Sequence, residues 1–167
     1  MKPKILFILH LPPPIHGAAM MGKYIQESEL VNSSFDCFCI NLATAGSLSD
    51  IGHISLKKLL KYFFLLKHIS HVVREIRPEL VYITPNAGGK AFFKDFIVVQ
   101  MLKSMGCKVI AHYHNKGVSV YQSKWVYNFF YKRFFSNLKV ILLAETLYKD
   151  IAKYVKREEI GRASCRE

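Results

Sequence analysis

His112-Tyr113-His114-Asn115 places two imidazoles and a carboxamide directly after the apolar run Val109-Ile110-Ala111. Side chains of a strand alternate between its faces, so a strand ending here carries both histidines on the same side. Imidazole and amide groups at a strand exit can hydrogen-bond a sugar hydroxyl or a phosphate. His112 has an equally good use as a sheet residue bonded to a backbone group. His114, nearer the loop, is the stronger candidate for ligand contact. A zinc site would need further ligands, and only the distant His10 and His16 could supply them, so no metal is expected.

A second chemical signal stands near the N-terminus. Ile5-Leu6-Phe7-Ile8-Leu9 leads into Pro12-Pro13-Pro14-Ile15-His16-Gly17-Ala18, and the residues from Ala18 to Gln26 have helical character. The prolines forbid helix and stiffen the strand exit. Glycine permits close backbone approach, and the unpaired N–H groups of a helix start attract an anion such as a phosphate. A third segment, Thr84-Pro85-Asn86-Ala87-Gly88-Gly89-Lys90, has the composition of a phosphate loop but lacks the Gly-Lys-Ser/Thr ending of nucleotide hydrolases. Lys90 could touch an anionic ligand or stand in solvent. The Gly-x-Gly-x-x-Gly fingerprint is absent after the first strand, which argues against a nicotinamide cofactor.

These groups need elements to hold them. Short apolar runs predict strands at Lys4–His10, Phe35–Leu42, Leu80–Thr84, Lys108–His114 and Lys139–Leu143. Between them, apolar spacing predicts helices from Ala18 to Gln26, Ser55 to Arg77, Ala91 to Met105 and Val120 to Ser136, with a last one from Glu145 to Arg157. The long helix is read as amphipathic on Leu56, Leu59, Leu60, Phe63, Leu66, Ile69, Val73 and Ile76. Strands alternating with such helices predict an α/β fold, a Rossmann-like parallel sheet of about five strands with helices on both faces. Ligands of such sheets bind beyond the C-terminal strand ends, where all three polar segments fall.

At 167 residues, 51% hydrophobic and 22% charged, the chain is too apolar to be disordered. No apolar stretch reaches the length of a spanning helix, and the N-terminal apolar run reads as a strand and not a signal peptide. The net charge of +12 attracts nucleic acid, anionic lipid or phosphorylated molecules, yet no nucleic-acid-binding motif accompanies it. Lysines alternate with Leu and Phe in the long helix, and Lys124, Lys132 and Arg133 with Trp125, Phe129 and Phe130 in the later one. That pattern fits either a peripheral membrane surface or a solvated basic face. Cys37, Cys39, Cys107 and Cys165 form neither a metal-ligand pattern nor a disulfide framework, and Cys37 and Cys39 are expected as buried strand residues.

The final residues Ile160-Gly161-Arg162-Ala163-Ser164-Cys165-Arg166-Glu167 show no strand or helix period. Back-translated, they resemble read-through of a sequencing adapter. Residues 1–158 are therefore taken as one Rossmann-like domain, and 159–167 as a non-native tail.

In the order of its motifs, from the proline-rich turn with His16, Gly17 and Ala18 to His112-Tyr113-His114-Asn115, the chain resembles the N-terminal domain of family 4 glycosyltransferases. The resemblance covers residues 1 to about 158 and implies the first half of a GT-B fold, which binds the acceptor. It implies that Gly17 and Ala18 face the donor diphosphate and that His114 lines the reaction centre as the catalytic candidate. His16, Asn86, Lys90, His112, Asn115 and Glu145 become acceptor-side or substrate contacts. The role of Glu145 is open, since the family often carries serine after the fifth strand. Also implied are retention of anomeric configuration, no metal, no cofactor, a nucleotide-sugar as donor substrate and a carbohydrate or lipid-linked acceptor. The donor-binding C-terminal domain is not in this chain, and the fragment alone is expected to be inactive. The expected location is the cytoplasm, peripheral to the inner membrane face. The competing reading is a non-enzymatic basic Rossmann-like module that binds a nucleotide or an anionic membrane.

Overall fold

The computed structural model describes residues 2–13, 15, 17–42 and 56–162. The chain is a Rossmann-like α/β protein whose six strands are parallel and flanked by helices. It divides into two units, Met1–Thr84 and Pro85–Glu167.

In the first unit, β1 (Lys4–Leu9) lies between β2 (Asp36–Asn41) and β3 (Leu80–Ile83), with Ile5 opposite Cys37 on one side and Leu80 on the other. All of Ile5 to Leu9 is buried, so both faces of this strand are covered, as parallel sheets require. Ile5, Phe7 and Leu9 form a core cluster with Ile25, Val31 and Phe35. Those partners come from α1 (Gly17–Glu27), α2 (Glu29–Ser34) and the chain entering β2. The helix α3 (Leu56–Ile76) turns Tyr62, Ile69 and Val73 inward.

The second unit contains α4 (Gly89–Ser104), β4 (Val109–Tyr113), α5 (Val118–Tyr121), α6 (Trp125–Phe135), β5 (Lys139–Leu142), α7 (Tyr148–Ile151) and β6 (Ile160–Arg162). Here β5 is central, pairing β4 from Ile110–Lys139 onward and β6 from Val140–Ile160 onward. The core is aromatic: the Phe92 ring centroid is 4.6 Å from Tyr131 and 5.5 Å from Phe134. Lys103 ties α4 to the end of α6, its Nζ donating to the carbonyls of Phe134 and Ser136 at 2.6 Å each. Burial and the neighbouring Arg133 lower that ammonium to about 8.

Several elements differ from expectation, each for a physical reason. A sixth strand, β6, occupies Ile160–Arg162 inside the presumed tail. Three residues can add to the edge of β5 through backbone bonds alone, which need no side-chain period. The remaining tail residues, 163–167, lie outside the described residues, as does the predicted loop Ala43–Asp50. The helix expected over Val120–Ser136 is two helices: the chain turns at Gln122–Lys124, where the Lys124 N–H bonds the Tyr121 carbonyl, and a distant carboxylate caps the backbone N–H groups of Gly117–Ser119 at the start of α5. The segment Glu145–Arg157 is a 3₁₀ turn, the single turn α7 and a bend. Ile151 and Val155 are buried all the same, since a bend presents residues four apart to the interior as a helix does. The helix α2 is additional to the expected elements, and Ser28 supplies its N-cap, accepting from Val31 N–H at 3.4 Å. Cys37 is half-buried and Cys39 exposed, because β2 has a neighbour on one side only within its unit.

Candidate functional site

The strand β4 brings the two histidines together. His112 is its penultimate residue and His114 follows its end, and the imidazole centroids are 4.1 Å apart, inclined at 40°. Burial, and then the neighbouring His114, lowers His112 to about 4, and burial also lowers His114. Both rings are therefore neutral at neutral pH, each offering one N–H donor and one acceptor nitrogen. Neither ring nitrogen of His114 has a hydrogen-bond partner among the described residues, although both are shielded from solvent. Neutral imidazoles of this kind can orient a hydroxyl or share its proton; they do not act as fixed cations. Asn115 is exposed beside them.

Two aspartates that sequence reasoning did not single out hold the loops around this strand end. The Asp150 carboxylate, from α7, accepts from the backbone N–H of Gly117 (2.9 Å), Val118 (2.9 Å) and Ser119 (3.0 Å) and from the Ser119 hydroxyl (2.5 Å). Burial pushes its pKa up, but those donors outweigh burial, and the carboxyl stays below its ordinary range. Asp95, from α4, accepts from the backbone N–H (2.8 Å) and the side-chain amide (2.7 Å) of Asn86, both on one oxygen. Burial dominates here and raises it to about 6. A signal for both existed in the sequence: each is a lone acid beside bulky apolar neighbours, Phe96 and Ile151.

The loop after β3 is held from inside. Asn86, a predicted substrate contact, commits its amide nitrogen to Asp95. The Ala87 carbonyl accepts from Tyr131 Oη at 2.6 Å. A Cβ on Gly88 would stand 2.4 Å from the Tyr121 ring, so that glycine makes room for an aromatic side chain of its own unit. These bonds fix the loop and commit one of its backbone donors, the Asn86 N–H, to a carboxylate. Lys90 is exposed near the start of α4.

Glu145, after β5, forms an ion pair with Arg157. The two line a cavity of about 140 Å³ with Leu143, Ala144, Tyr148 and Ile160, and the Arg157 guanidinium lies 5.4 Å from the Tyr148 ring centroid. The neighbouring Tyr113 hydroxyl, at the end of β4, is buried without a hydrogen-bond partner among the described residues.

In the first unit, Gly17 and Ala18 open α1, where the first N–H groups of a helix have no acceptor within it. Gly17 is exposed, and nothing lies within 4 Å of a Cβ placed on it. The glycine that packing requires is Gly22, where a Cβ would stand 2.2 Å from the His10 carbonyl oxygen; its absence lets α1 lie against the end of β1. His16 lies outside the described residues. Among the described residues no three His, Cys, Asp or Glu side chains are grouped to hold a metal ion. Comparison with protein-family models, with curated proteins and with solved structures finds no match to this chain.

Proposed function

We propose that this chain is the acceptor-side domain of a retaining glycosyltransferase that moves a sugar from a nucleotide-sugar to a carbohydrate or lipid-linked acceptor. The observation that carries the reading is the neutral His112–His114 pair at the C-terminal end of a parallel strand. Retention is implied by the family resemblance. Chemically, the reaction separates a sugar from a diphosphate, so it needs hydrogen-bond donors for the leaving charge and uncharged polar groups beside the sugar. In the second unit His114, beside His112, has the uncharged polar group of the second role; the first role is assigned to the N–H groups of Gly17 and Ala18 by the family resemblance alone. Neutrality matters at His114. An imidazolium would attract the diphosphate itself, whereas a neutral ring can hydrogen-bond a sugar hydroxyl. Asn115 and Lys90 are further substrate contacts in this reading.

The test is to sequence the gene beyond codon 158 from its source DNA and assay its product for release of nucleoside diphosphate from nucleotide-sugars. A second Rossmann-like domain is expected, with activity that His114→Ala lowers by about 100-fold. A stop codon directly after Glu167, or a His114→Ala rate equal to that of the unaltered enzyme, overturns the reading.

A further inference from the structure

The helix α3 has two apolar faces, and among the described residues only one of them is covered. Tyr62, Ile69 and Val73 face the core, whereas Leu56 (74% exposed), Leu59 (60%), Leu60 (52%), Phe63 (51%) and Phe64 (65%) face solvent. Leu56, Leu59, Leu60 and Phe63 stand at i, i+3, i+4 and i+7, so they form a continuous stripe along two turns. Five large apolar side chains together on one short stretch are unlike the scattered exposed residues of ordinary surfaces and mark an interaction site.

The charges around the stripe identify what would cover it. Lys57, Lys58, Lys61, Lys67 and Arg74 lie on this helix, and Glu75 is its single acid. The Lys67 ammonium is 4.8 Å from the Phe63 ring centroid, which keeps a cation at the margin of the apolar surface. A second copy of the chain seated on this face would oppose lysines to lysines. An anionic lipid surface would accept the leucines and phenylalanines among its acyl chains and the lysines among its headgroups. No helix among the described residues is long and apolar enough to cross a membrane, so the contact would lie in the membrane plane.

We infer that the Leu56–Phe64 stripe of α3 docks the protein onto an anionic lipid bilayer, its lysines on the headgroups. The inference stands on α3 alone and is independent of the transfer chemistry. It is tested by sedimenting the full chain with vesicles of phosphatidylglycerol and phosphatidylcholine, and with phosphatidylcholine alone. Binding is expected to the anionic vesicles and to weaken with salt. Two double variants, Leu60→Ser with Phe63→Ser and Lys57→Glu with Lys61→Glu, are each expected to weaken it at least about tenfold. All four positions are solvent-exposed, and unchanged circular dichroism would show that the fold is retained. Failure to bind anionic vesicles, equal binding to phosphatidylcholine, or binding that both variants leave unaltered overturns the inference. So does a lipid-free dimer in sedimentation velocity that Leu60→Ser with Phe63→Ser dissociates, since the stripe would then belong to a second copy.

Discussion

Asp95 and Asp150 are both buried carboxylates of the second unit, each holding a loop that follows a β-strand, yet burial moves one and hydrogen bonding the other. Asp150 receives four donors spread over both oxygens, three of them backbone N–H groups. Asp95 receives two donors from a single residue on one oxygen. The comparison teaches that burial alone does not set the charge of a carboxylate. The number and direction of its donors decide whether desolvation or hydrogen bonding prevails.

The largest effect is expected at Asp150. Asp150→Ala strands three backbone N–H groups and a hydroxyl, and it should lower unfolding free energy by about 4 kcal/mol in urea titrations followed by circular dichroism. A cost below that of Asp95→Ala would break the comparison. Asp95 is sharpened by its pH dependence. Its folded pKa of about 6 lies above the ordinary value of 3.8, so the unfolded chain loses the proton first as pH rises. The contribution of Asp95 to stability therefore declines between about pH 4 and pH 6 and is constant above. Asp95→Asn abolishes that decline, so the stability of the variant relative to the parent should rise by about 2 kcal/mol from pH 4 to pH 7. A difference that does not vary with pH would refute the assignment. The histidines act in the opposite sense: their lowered pKa values mean that stability from them is present at neutral pH and is lost as pH falls below 6.5, for His112 toward 4.

Smaller effects come from two buried tyrosines that repeat the contrast without charge. Tyr131 donates to the Ala87 carbonyl, so Tyr131→Phe should cost about 1 kcal/mol. Tyr113 buries a hydroxyl that has no partner among the described residues, so Tyr113→Phe should change stability by less than about 0.5 kcal/mol or raise it. Equal losses in the two variants would show that donor satisfaction does not distinguish these sites.

The apolar strands were legible because parallel sheets bury both faces of a strand and leave a continuous apolar run, as in Ile5 to Leu9. The histidine pair was legible too, since period-two alternation puts His112 and His114 on one side whatever surrounds them. Less of α3 could be read. Leu56, Leu59, Leu60 and Phe63 have the helical spacing of core residues, and spacing does not tell a face covered by protein from one open to solvent. Glycines behave likewise: Gly17 drew notice for its position in a motif, while Gly22 is the one whose missing Cβ admits the His10 carbonyl.

The amino-acid sequence by itself determined the α/β class, the approximate order of strands and helices and the side of β4 on which its histidines stand, because these follow from periods of two and 3.6 residues within short windows. Tertiary structure alone decided that Asp150 caps the N–H groups of Gly117–Ser119, that Asp95 holds Asn86 and that half of α3 faces solvent. The reason is separation along the chain. The Asp150 carboxylate meets the Val118 N–H across 32 residues, and no local pattern records a partner that only folding brings within reach.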